Sequence, residues 1–232
     1  MCIRDRPYSV TTARQIPILL LGKVEKELKC MKDNGVIEEV TEPTEWVSPI
    51  VPVLKPSGDF RICVGLKKLN QSVERECYVI PTVDDIVHQL RGSSVFSKLD
   101  AASGFWQIPL DPETVKLTTF ITPFRSYFMK RLPFGISSAP EIFQRTMTEL
   151  LRGIDGVICS FDDILCHTST VEKHELLLDR VFKKLKEIGL QLNPEKCEYR
   201  KSEVTFLGHI ISKDGVRADD SKIAAMDAVC VW

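Results

Sequence analysis

The chain has 232 residues, 44% apolar and 27% charged, which is typical of one large globular domain or two smaller ones. Its 31 lysines and arginines against 32 aspartates and glutamates give a net charge of -1, without the basic excess common in small nucleic-acid-binding domains. The 12 glycines and 13 prolines follow no period, which excludes a collagen-like chain, and the ordinary apolar content excludes a disordered one.

The eight cysteines form no C-x-x-C pair and have no histidine at zinc spacing. They predict reduced thiols in a cytosol-like compartment. The longest apolar run, Ile16–Leu21, is too short to span a bilayer, so we expect no membrane partner and an intracellular location. Residues 1–6 show no periodicity and are interpreted as a non-native leader or a disordered tail.

The first half of the chain alternates helical and strand-like patterns. The predicted elements are a helix over Leu20–Met31, strands Ile50–Leu54 and Phe60–Val64, a helix over Val83–Leu90 and a strand over Val95–Leu99. The residues between the first two strands, Pro56–Asp59, favour a hairpin turn flanked by Lys55 and Arg61. A cap-like Thr82-x-x-Asp85 opens the second helix.

The second half contains two predicted capping boxes and two predicted hairpins. The boxes begin at Ser138 and Ser169, and the helix after Ser169 is closed by Gly189. The strands are expected over Gly156–Ser160, Ile164–His167, Val204–Leu207 and His209–Ile211. The pattern predicts a new helix that begins before Trp232, and we expect the chain to be a fragment of something longer.

Two adjacent carboxylates, Asp162 and Asp163, lie between apolar strand patterns, so both are expected at the tip of a hairpin. Like charges at that separation repel and favour a bound cation. A solvated hairpin tip is the alternative, because Asp is a common turn residue.

A third carboxylate, Asp100, ends another apolar strand. If the two strands are neighbours in one sheet, the three carboxylates converge on one point. Hard oxygen ligands suit Mg²⁺ or Mn²⁺. Two such ions about 4 Å apart are the device used for in-line phosphoryl transfer.

Four ordered motifs carry a family resemblance. They are Val95–Ile108, Leu132–Pro140, Phe161–Leu165 and Phe206–Ser212. Together they resemble the polymerase motifs of reverse transcriptases from gypsy-type LTR retrotransposon Pol polyproteins. The resemblance extends from about residue 7 to the end of the chain.

The resemblance implies an α+β right-hand polymerase with fingers and palm, in which helices back an antiparallel palm sheet and the thumb is absent or truncated. It implies a fingers-rich region with the start of the palm over residues 7–95. The palm, with an interleaved fingers segment and a primer-grip hairpin, would cover 96–212, and the connection to a truncated thumb would begin at 213–232. Thumb, ribonuclease H and integrase would follow in the full polyprotein, in the cytoplasm or a virus-like particle.

The implied reaction is addition of deoxynucleotides to a primer 3′ end on an RNA or DNA template, with two Mg²⁺ or Mn²⁺ ions. Asp100, Asp162 and Asp163 resemble the catalytic, metal-binding carboxylates, and the carbonyl of Ala101 would add a ligand. The amides of Ser103 and Gly104 would face the triphosphate of the incoming dNTP.

Two basic residues of the hairpin resemble triphosphate-binding groups. Arg61 resembles the fingers arginine that clamps the triphosphate, and Lys55 is a further candidate. The alternative for both is a solvated surface charge beside a turn.

Phe105 resembles the aromatic residue beneath the sugar that leaves no room for a 2′-hydroxyl, and ordinary core packing is its alternative. Phe134 and Gly135 resemble the loop that packs against base and template. Leu207, Gly208 and His209 resemble the turn that grips the primer terminus, with a plain hairpin turn as the alternative.

Two positions depart from the family pattern. Ser160 stands where a tyrosine is common, which puts primer positioning in doubt. Gly65 stands where an aspartate is common and suggests drift in an element no longer in use. The alternative functions are therefore an inactive retroelement remnant that at most binds template–primer, and a metal-dependent nuclease built on the same carboxylates.

Overall fold

A computed structural model describes residues 7–54, 60–74, 78–79, 81–161 and 163–219. The predicted leader 1–6, the predicted turn Pro56–Asp59, Lys55, Asp162 and the new helix before Trp232 lie outside the described residues. The chain divides into two compact units. Unit 1 is Met1–Cys77 with Phe105–Ile142, and unit 2 is Tyr78–Gly104 with Phe143–Trp232.

Unit 1 is built on a five-stranded sheet in the order β1-β6-β5-β2-β3. Its strands are β1 (Ile37–Glu39), β2 (Ser48–Leu54), β3 (Phe60–Val64), β5 (Phe120–Ile121) and β6 (Ser126–Met129). Its short helices are α2 (Lys67–Ser72) and α4 (Pro112–Leu117). The strands pair antiparallel except β2 with β5, which are parallel.

Helix α1 (Ile18–Asp33) supplies part of the core of unit 1. Its buried residues Val24, Leu28 and Met31 recur every three or four positions, which places them on one face. The helix ends at Asn34, and Gly35 then takes a φ of +65°, a conformation that glycine adopts without strain. The predicted first helix is confirmed, with two more residues at each end.

Close packing against Pro49 in unit 1 explains why residue 65 is a glycine. Its amide donates to the carbonyl of Pro49 at 2.7 Å, and an added Cβ would lie 3.1 Å from that oxygen and 3.2 Å from the Pro49 ring. An aspartate here would crowd this contact. The interpretation of Gly65 as drift is therefore not needed, because close backbone approach accounts for glycine at this position.

Unit 2 is built on a four-stranded antiparallel sheet in the order β7-β8-β4-β9. The strands are β4 (Val95–Asp100), β7 (Val157–Ser160), β8 (Asp163–Thr168) and β9 (Glu198–Lys201). Strand β4 pairs with β8 in continuous register from Val95↔Thr168 to Asp100↔Asp163. Side chains alternate along a strand, so Phe96, Lys98 and Asp100 share one face, and Ser97 and Leu99 the other.

Helices of unit 2 include α3 (Val83–Gln89) and α6 (Val171–Ile188), and α5 (Ala139–Leu150) begins in unit 1 and continues into unit 2. The box predicted at Thr82 is confirmed: its hydroxyl accepts from the Asp85 amide, and the Asp85 carboxylate accepts from the Thr82 amide. The box predicted at Ser169 is wrong. Thr170 is the N-cap and accepts from the Lys173 amide, while the Ser169 carbonyl accepts from Ser94.

A second, three-stranded sheet in unit 2 has the order β10-β11-β12. Its strands are β10 (Glu203–Phe206), β11 (His209–Ser212) and β12 (Gly215–Ala218). Val204, Phe206 and Ile211 form one buried cluster with Phe96 of β4 and Leu165 of β8. This sheet therefore covers one end of the β4 face whose other end carries Lys98 and Asp100.

A directed hydrogen-bond chain ties α6 to the opposite face of β4. The Thr168 hydroxyl donates to the Thr170 carbonyl at 2.9 Å, so it accepts from the protonated Nδ1 of His174 at 3.1 Å. Nε2 of His174 then accepts from the Ser97 hydroxyl at 2.7 Å, and that hydroxyl accepts from the Arg200 amide at 3.0 Å. Burial lowers the pKa of His174, which keeps the ring neutral in this arrangement.

Several short elements were not predicted. They are α2, α4, β1, β5, β6, β9 and β12. The longer predicted elements are confirmed with small shifts at their ends. In the described part of the chain, no helix is both long and apolar enough to cross a membrane.

Two glycines of unit 2 provide a matched test of close packing at the start of β7. Gly153 and Gly156 both have a φ of +82°, so alanine strains the backbone equally at each, by about 1–2 kcal/mol. A Cβ at Gly153 meets nothing within 4 Å, whereas one at Gly156 lies 2.8 Å from the His167 carbonyl oxygen. We expect Gly156→Ala to lower the free energy of unfolding by a further ~1–3 kcal/mol in urea titrations. Equal losses in the two variants would contradict the packing described here.

Candidate functional site

Asp100 and Asp163 face each other directly across the β4–β8 ladder. Directly opposed residues of an antiparallel pair have α-carbons about 4.5–5.5 Å apart and side chains on the same face of the sheet. The side chains of Asp100 and Asp163 are 14% and 23% exposed, so both carboxylates are largely removed from bulk water. Two like charges in this position repel, and the pair calls for compensating positive charge.

Two lysines supply positive charge to the pair. Nζ of Lys98 lies 3.2 Å from Oδ2 of Asp163, and Nζ of Lys196 lies 3.6 Å from Oδ2 of Asp100. Lys98 is as buried as its partner, whereas Lys196 is 66% exposed. Neither lysine was singled out from the sequence. The signal for Lys98 was its spacing, because a residue two positions before Asp100 on a strand shares its face.

The segment around Leu192 fixes the backbone of Asp100 and Ala101. Ala101 bridges Leu192, and the bonds that flank the bridge run from the Ala102 amide to the Gln191 carbonyl and from the Asn193 amide to the Asp100 carbonyl, both at 2.9 Å. The carbonyl of Ala101 takes part in neither of these two bonds.

Phe161 follows β7, and β8 begins at Asp163. Ser160 pairs with Asp163, and between them Phe161 has a φ of +51°, a left-handed conformation that costs a non-glycine residue about 1 kcal/mol or more. Asp162 itself lies outside the described residues.

The amide side chain of Gln144, on α5, holds the end of β7. Its Nε2 donates to the Cys159 carbonyl at 2.8 Å, and its Oε1 accepts from the Phe161 amide at 2.9 Å. Gln144 is fully buried. Ser160, between the two bonded residues, is also buried, and its hydroxyl has no hydrogen-bond partner in the described part of the chain.

The two buried thiols of the same hairpin, Cys159 and Cys166, are unreactive at neutral pH. Burial raises the pKa of Cys159 and of Cys166 to about 12, so both stay protonated at neutral pH. Carboxylates rather than thiolates therefore define the chemistry of this end of the sheet. Among the described residues, which omit Asp162, no group of three or more histidine, cysteine or acidic side chains is placed to hold a metal ion.

Ser103 and Gly104 follow the strand that ends at Asp100. Ser103 is exposed with a φ of +50°, and Gly104 is buried and opens a 3-10 helix over Gly104–Gln107. A residue with positive φ next to one with ordinary φ turns successive amides to the same side, as in anion-binding nests.

In unit 1, Phe134 is the centre of a cluster of the predicted nucleotide-binding residues. The Arg61 guanidinium carbon lies 4.9 Å from the centroid of the Phe134 ring, in cation–π contact. The rings of Phe105 and Trp106 lie 5.2 and 5.6 Å from the same ring. Arg61 is exposed but is not a charge free in solvent, since the aromatic face orients it.

The loop that carries Phe134 is clamped by Asn70 of α2. Nδ2 of Asn70 donates to the Gly135 carbonyl at 2.7 Å, and Oδ1 accepts from the Ser137 amide at 3.0 Å. Gly135 has a φ of +98°, which favours glycine. Asn70 was not anticipated, because nothing in the sequence pairs a residue of α2 with a loop 65 positions later.

Leu207 and Gly208 form the two-residue turn between β10 and β11. Both have positive φ, +50° and +71°, as a type I′ hairpin turn requires. Gly208 adopts this conformation freely, but Leu207 does so under strain. His209 Nδ1 lies 3.1 Å from the Leu207 carbonyl.

Comparison with known proteins identifies the family. The sequence profile described as "Reverse transcriptase (RNA-dependent DNA polymerase)" matches residues 53–211, more than half of the chain. The chain belongs to the reverse transcriptase family. The predicted family and the α+β fold class with antiparallel sheets are thereby confirmed.

Individual relatives of this reverse transcriptase chain are retroelement proteins. The retrovirus-related Pol polyprotein from transposon 297 of Drosophila melanogaster is 34% identical over 209 residues, which cover 88% of this chain and 20% of that protein. The chain spans about a fifth of the length of the curated relatives it matches. These names do not specify the gypsy-type assignment, which stays a prediction.

Solved structures of the foamy viral protease-reverse transcriptase share the fold. The structure in complex with double-stranded DNA matches with a TM-score of 0.87 and 25% identity, over 97% of this chain and 39% of that one. The structure in complex with an RNA/DNA hybrid matches with a TM-score of 0.85 and 25% identity, over 97% of this chain and 30% of that one.

Proposed function

We propose that this chain is an RNA-directed DNA polymerase module that adds deoxynucleotides to a primer 3′ end on an RNA or DNA template. The observation that carries the proposal is the register match of Asp100 with Asp163, because it brings two strand-end carboxylates together on one face. The foamy viral complexes with double-stranded DNA and with an RNA/DNA hybrid support the choice of partner.

The donor set fits a site for divalent cations. Asp100 and Asp163 present hard anionic oxygens, the Ala101 carbonyl adds a neutral one, and Asp162 adjoins Asp163 in the sequence. The two ammonium groups in contact with the carboxylates show that this position accepts positive charge. These four residues would hold Mg²⁺ or Mn²⁺, which, when bound, activates the attacking oxygen and stabilises the leaving pyrophosphate.

The residues of the chain supply positioning and charge. The antiparallel ladder fixes the separation of Asp100 and Asp163, so that the carboxylates need little rearrangement before the reaction. Lys98 and Lys196 lower the cost of holding the two anions together. The amides of Ser103, an exposed residue, and of the neighbouring Gly104 would donate to the triphosphate.

The cluster around Phe134 in unit 1 would bind the incoming dNTP. Arg61 would use its guanidinium N–H groups to clamp the triphosphate while Phe134 covers its planar face. Lys55, outside the described residues, is a further candidate for the same role. Phe134 and Gly135 would pack against the base and the template strand.

The turn Leu207–Gly208 with His209 would hold the primer terminus. Its strained leucine is consistent with a functional role, because non-glycine residues with positive φ concentrate at such sites. Ser160, in place of the tyrosine common in the family, leaves a small side chain beside Asp163. In the full polyprotein, we expect the thumb, ribonuclease H and integrase domains as further partners.

The carboxylates are tested by primer extension on poly(rC) with oligo(dG), dGTP and Mg²⁺. Loss of a group that only hydrogen-bonds to a metal ligand already lowers metal affinity or activity about 10–100-fold. We therefore expect kcat to fall by more than about 100-fold in Asp100→Asn, Asp162→Asn and Asp163→Asn. Asp179→Asn, on the exposed face of α6, is the matched control and should extend at the wild-type rate.

Three results would overturn the mechanism in different ways. Undiminished extension by Asp162→Asn would exclude the carboxylate mechanism. Salt-dependent binding of template–primer without extension by the wild-type chain would favour the inactive remnant. Mg²⁺-dependent cleavage of the template–primer without added nucleotide would favour a nuclease.

A separate prediction concerns the proposed role of Phe105 beneath the sugar, where its ring would leave no room for a 2′-hydroxyl. Its ring is half-buried against Phe134, which leaves part of it accessible to a ligand. We expect Phe105→Ala to lower the preference for dGTP over GTP, measured as the ratio of kcat/KM values, by roughly ten- to two-hundredfold. Phe124→Ala removes an exposed aromatic of the same unit and should leave the ratio unchanged. An unchanged ratio in Phe105→Ala would mean that the ring contributes to core packing only.

A further inference from the structure

Gln144 is a fully buried polar side chain on α5. Phe143 and Met147 on the same helix are buried apolar residues, and Gln144 is fully buried beside them. A buried amide is costly unless its donors and acceptor are used. All three groups of Gln144 are used: Nε2 donates to the Cys159 carbonyl and to the Thr148 hydroxyl, and Oε1 accepts from the Phe161 amide.

The two short bonds lie on either side of Ser160, the last residue of β7. They fix the Cys159 carbonyl and the Phe161 amide relative to α5, at 2.8 and 2.9 Å. Phe161 is the residue with φ +51°, and Asp162 is bonded to it covalently. A strained turn keeps one conformation only when its surroundings hold it there.

We propose that Gln144 is a positioning residue for Asp163: it acts through the backbone of Cys159 and Phe161, which flank Ser160, the residue paired with Asp163. This inference rests on the proposed polymerase function and deepens it. The side chain needs both polar ends, because the donor holds the strand end and the acceptor holds the strained residue. A shift of about 1 Å in a reacting group can cost roughly 100-fold in rate, so such a support affects chemistry without touching substrate.

The purely structural alternative is that Gln144 only satisfies two buried backbone groups. In that case its loss would lower the Tm, because two buried backbone groups lose their partners, and the folded molecules would keep full activity. The two roles therefore predict different catalytic rates for the folded molecules. Rates measured on folded protein distinguish them.

The test uses the full chain with three substitutions. Gln144→Met keeps the length of the side chain and removes both polar ends. Gln144→Asn keeps the amide but is one methylene shorter, so it can reach only one of the two backbone groups. Thr148→Val is the matched control, since it removes the third contact of Gln144, at 3.3 Å, without touching the turn.

Two readouts are taken below the unfolding temperature of every variant. The first is kcat, KM for dGTP and the Mg²⁺ concentration for half-maximal rate in primer extension. The second is the rise in Tm that Mn²⁺ produces without nucleic acid, which reports cation binding independently of turnover. We expect kcat to fall about 10–100-fold in Gln144→Met and less in Gln144→Asn, with KM for dGTP within about twofold of the wild-type value.

The Mg²⁺ concentration for half-maximal rate should rise, and the Mn²⁺-induced shift of Tm should shrink, more in Gln144→Met than in Gln144→Asn. Thr148→Val should keep the wild-type values. A lower Tm with wild-type kcat and a wild-type Mn²⁺ shift would assign Gln144 a structural role only. A wild-type chain that binds Mn²⁺ but extends no primer would reject the proposed function, and the Mn²⁺ shifts of the variants would still decide the role of Gln144. A wild-type chain with neither property would overturn both.

Discussion

The repulsion between Asp100 and Asp163 is the constraint on which the site depends. Antiparallel pairing of β4 with β8 forces the two carboxylates together, and the sheet gains nothing from that placement unless positive charge is present. Lys98 and Lys196 provide part of it. The rest of the arrangement keeps the pair in place: the segment at Leu192 fixes β4 on one side, and the β7–β8 turn fixes β8 on the other.

In the described part of the chain, four residues other than glycine have positive φ. Ser103, Phe161 and Leu207 adjoin residues for which we propose a role, whereas Arg200 lies in β9, where its amide donates to Ser97. Two amide side chains, Asn70 and Gln144, hold functional loops by the same device, with the nitrogen on a carbonyl and the oxygen on an amide. Neutral amides hold backbone groups without adding charge.

The sequence was sufficient for elements with a long period or a strong cap, such as α1, α6 and the β7–β8 hairpin. Short strands such as β5 were missed, because pairing partners rather than local pattern stabilise them. Helix α4 did carry a local signal, the N-cap Asp111 followed by Pro112, and that signal was overlooked. Asp100 and Asp163 could be assigned to strand ends, but not to one register. Gln144 did carry a signal, since it interrupts the apolar stripe of Phe143 and Met147 on α5.

The central claim is that Asp100 and Asp163 are ligands of one cation site, and a double-mutant cycle on Mn²⁺ binding tests it most directly. Calorimetric titration would give Kd for the wild type, Asp100→Asn, Asp163→Asn and the double variant. Shared ligation predicts strong coupling, with the second substitution costing far less affinity than it does alone. Additive effects of the two substitutions, or wild-type affinity in either single variant, would contradict the account.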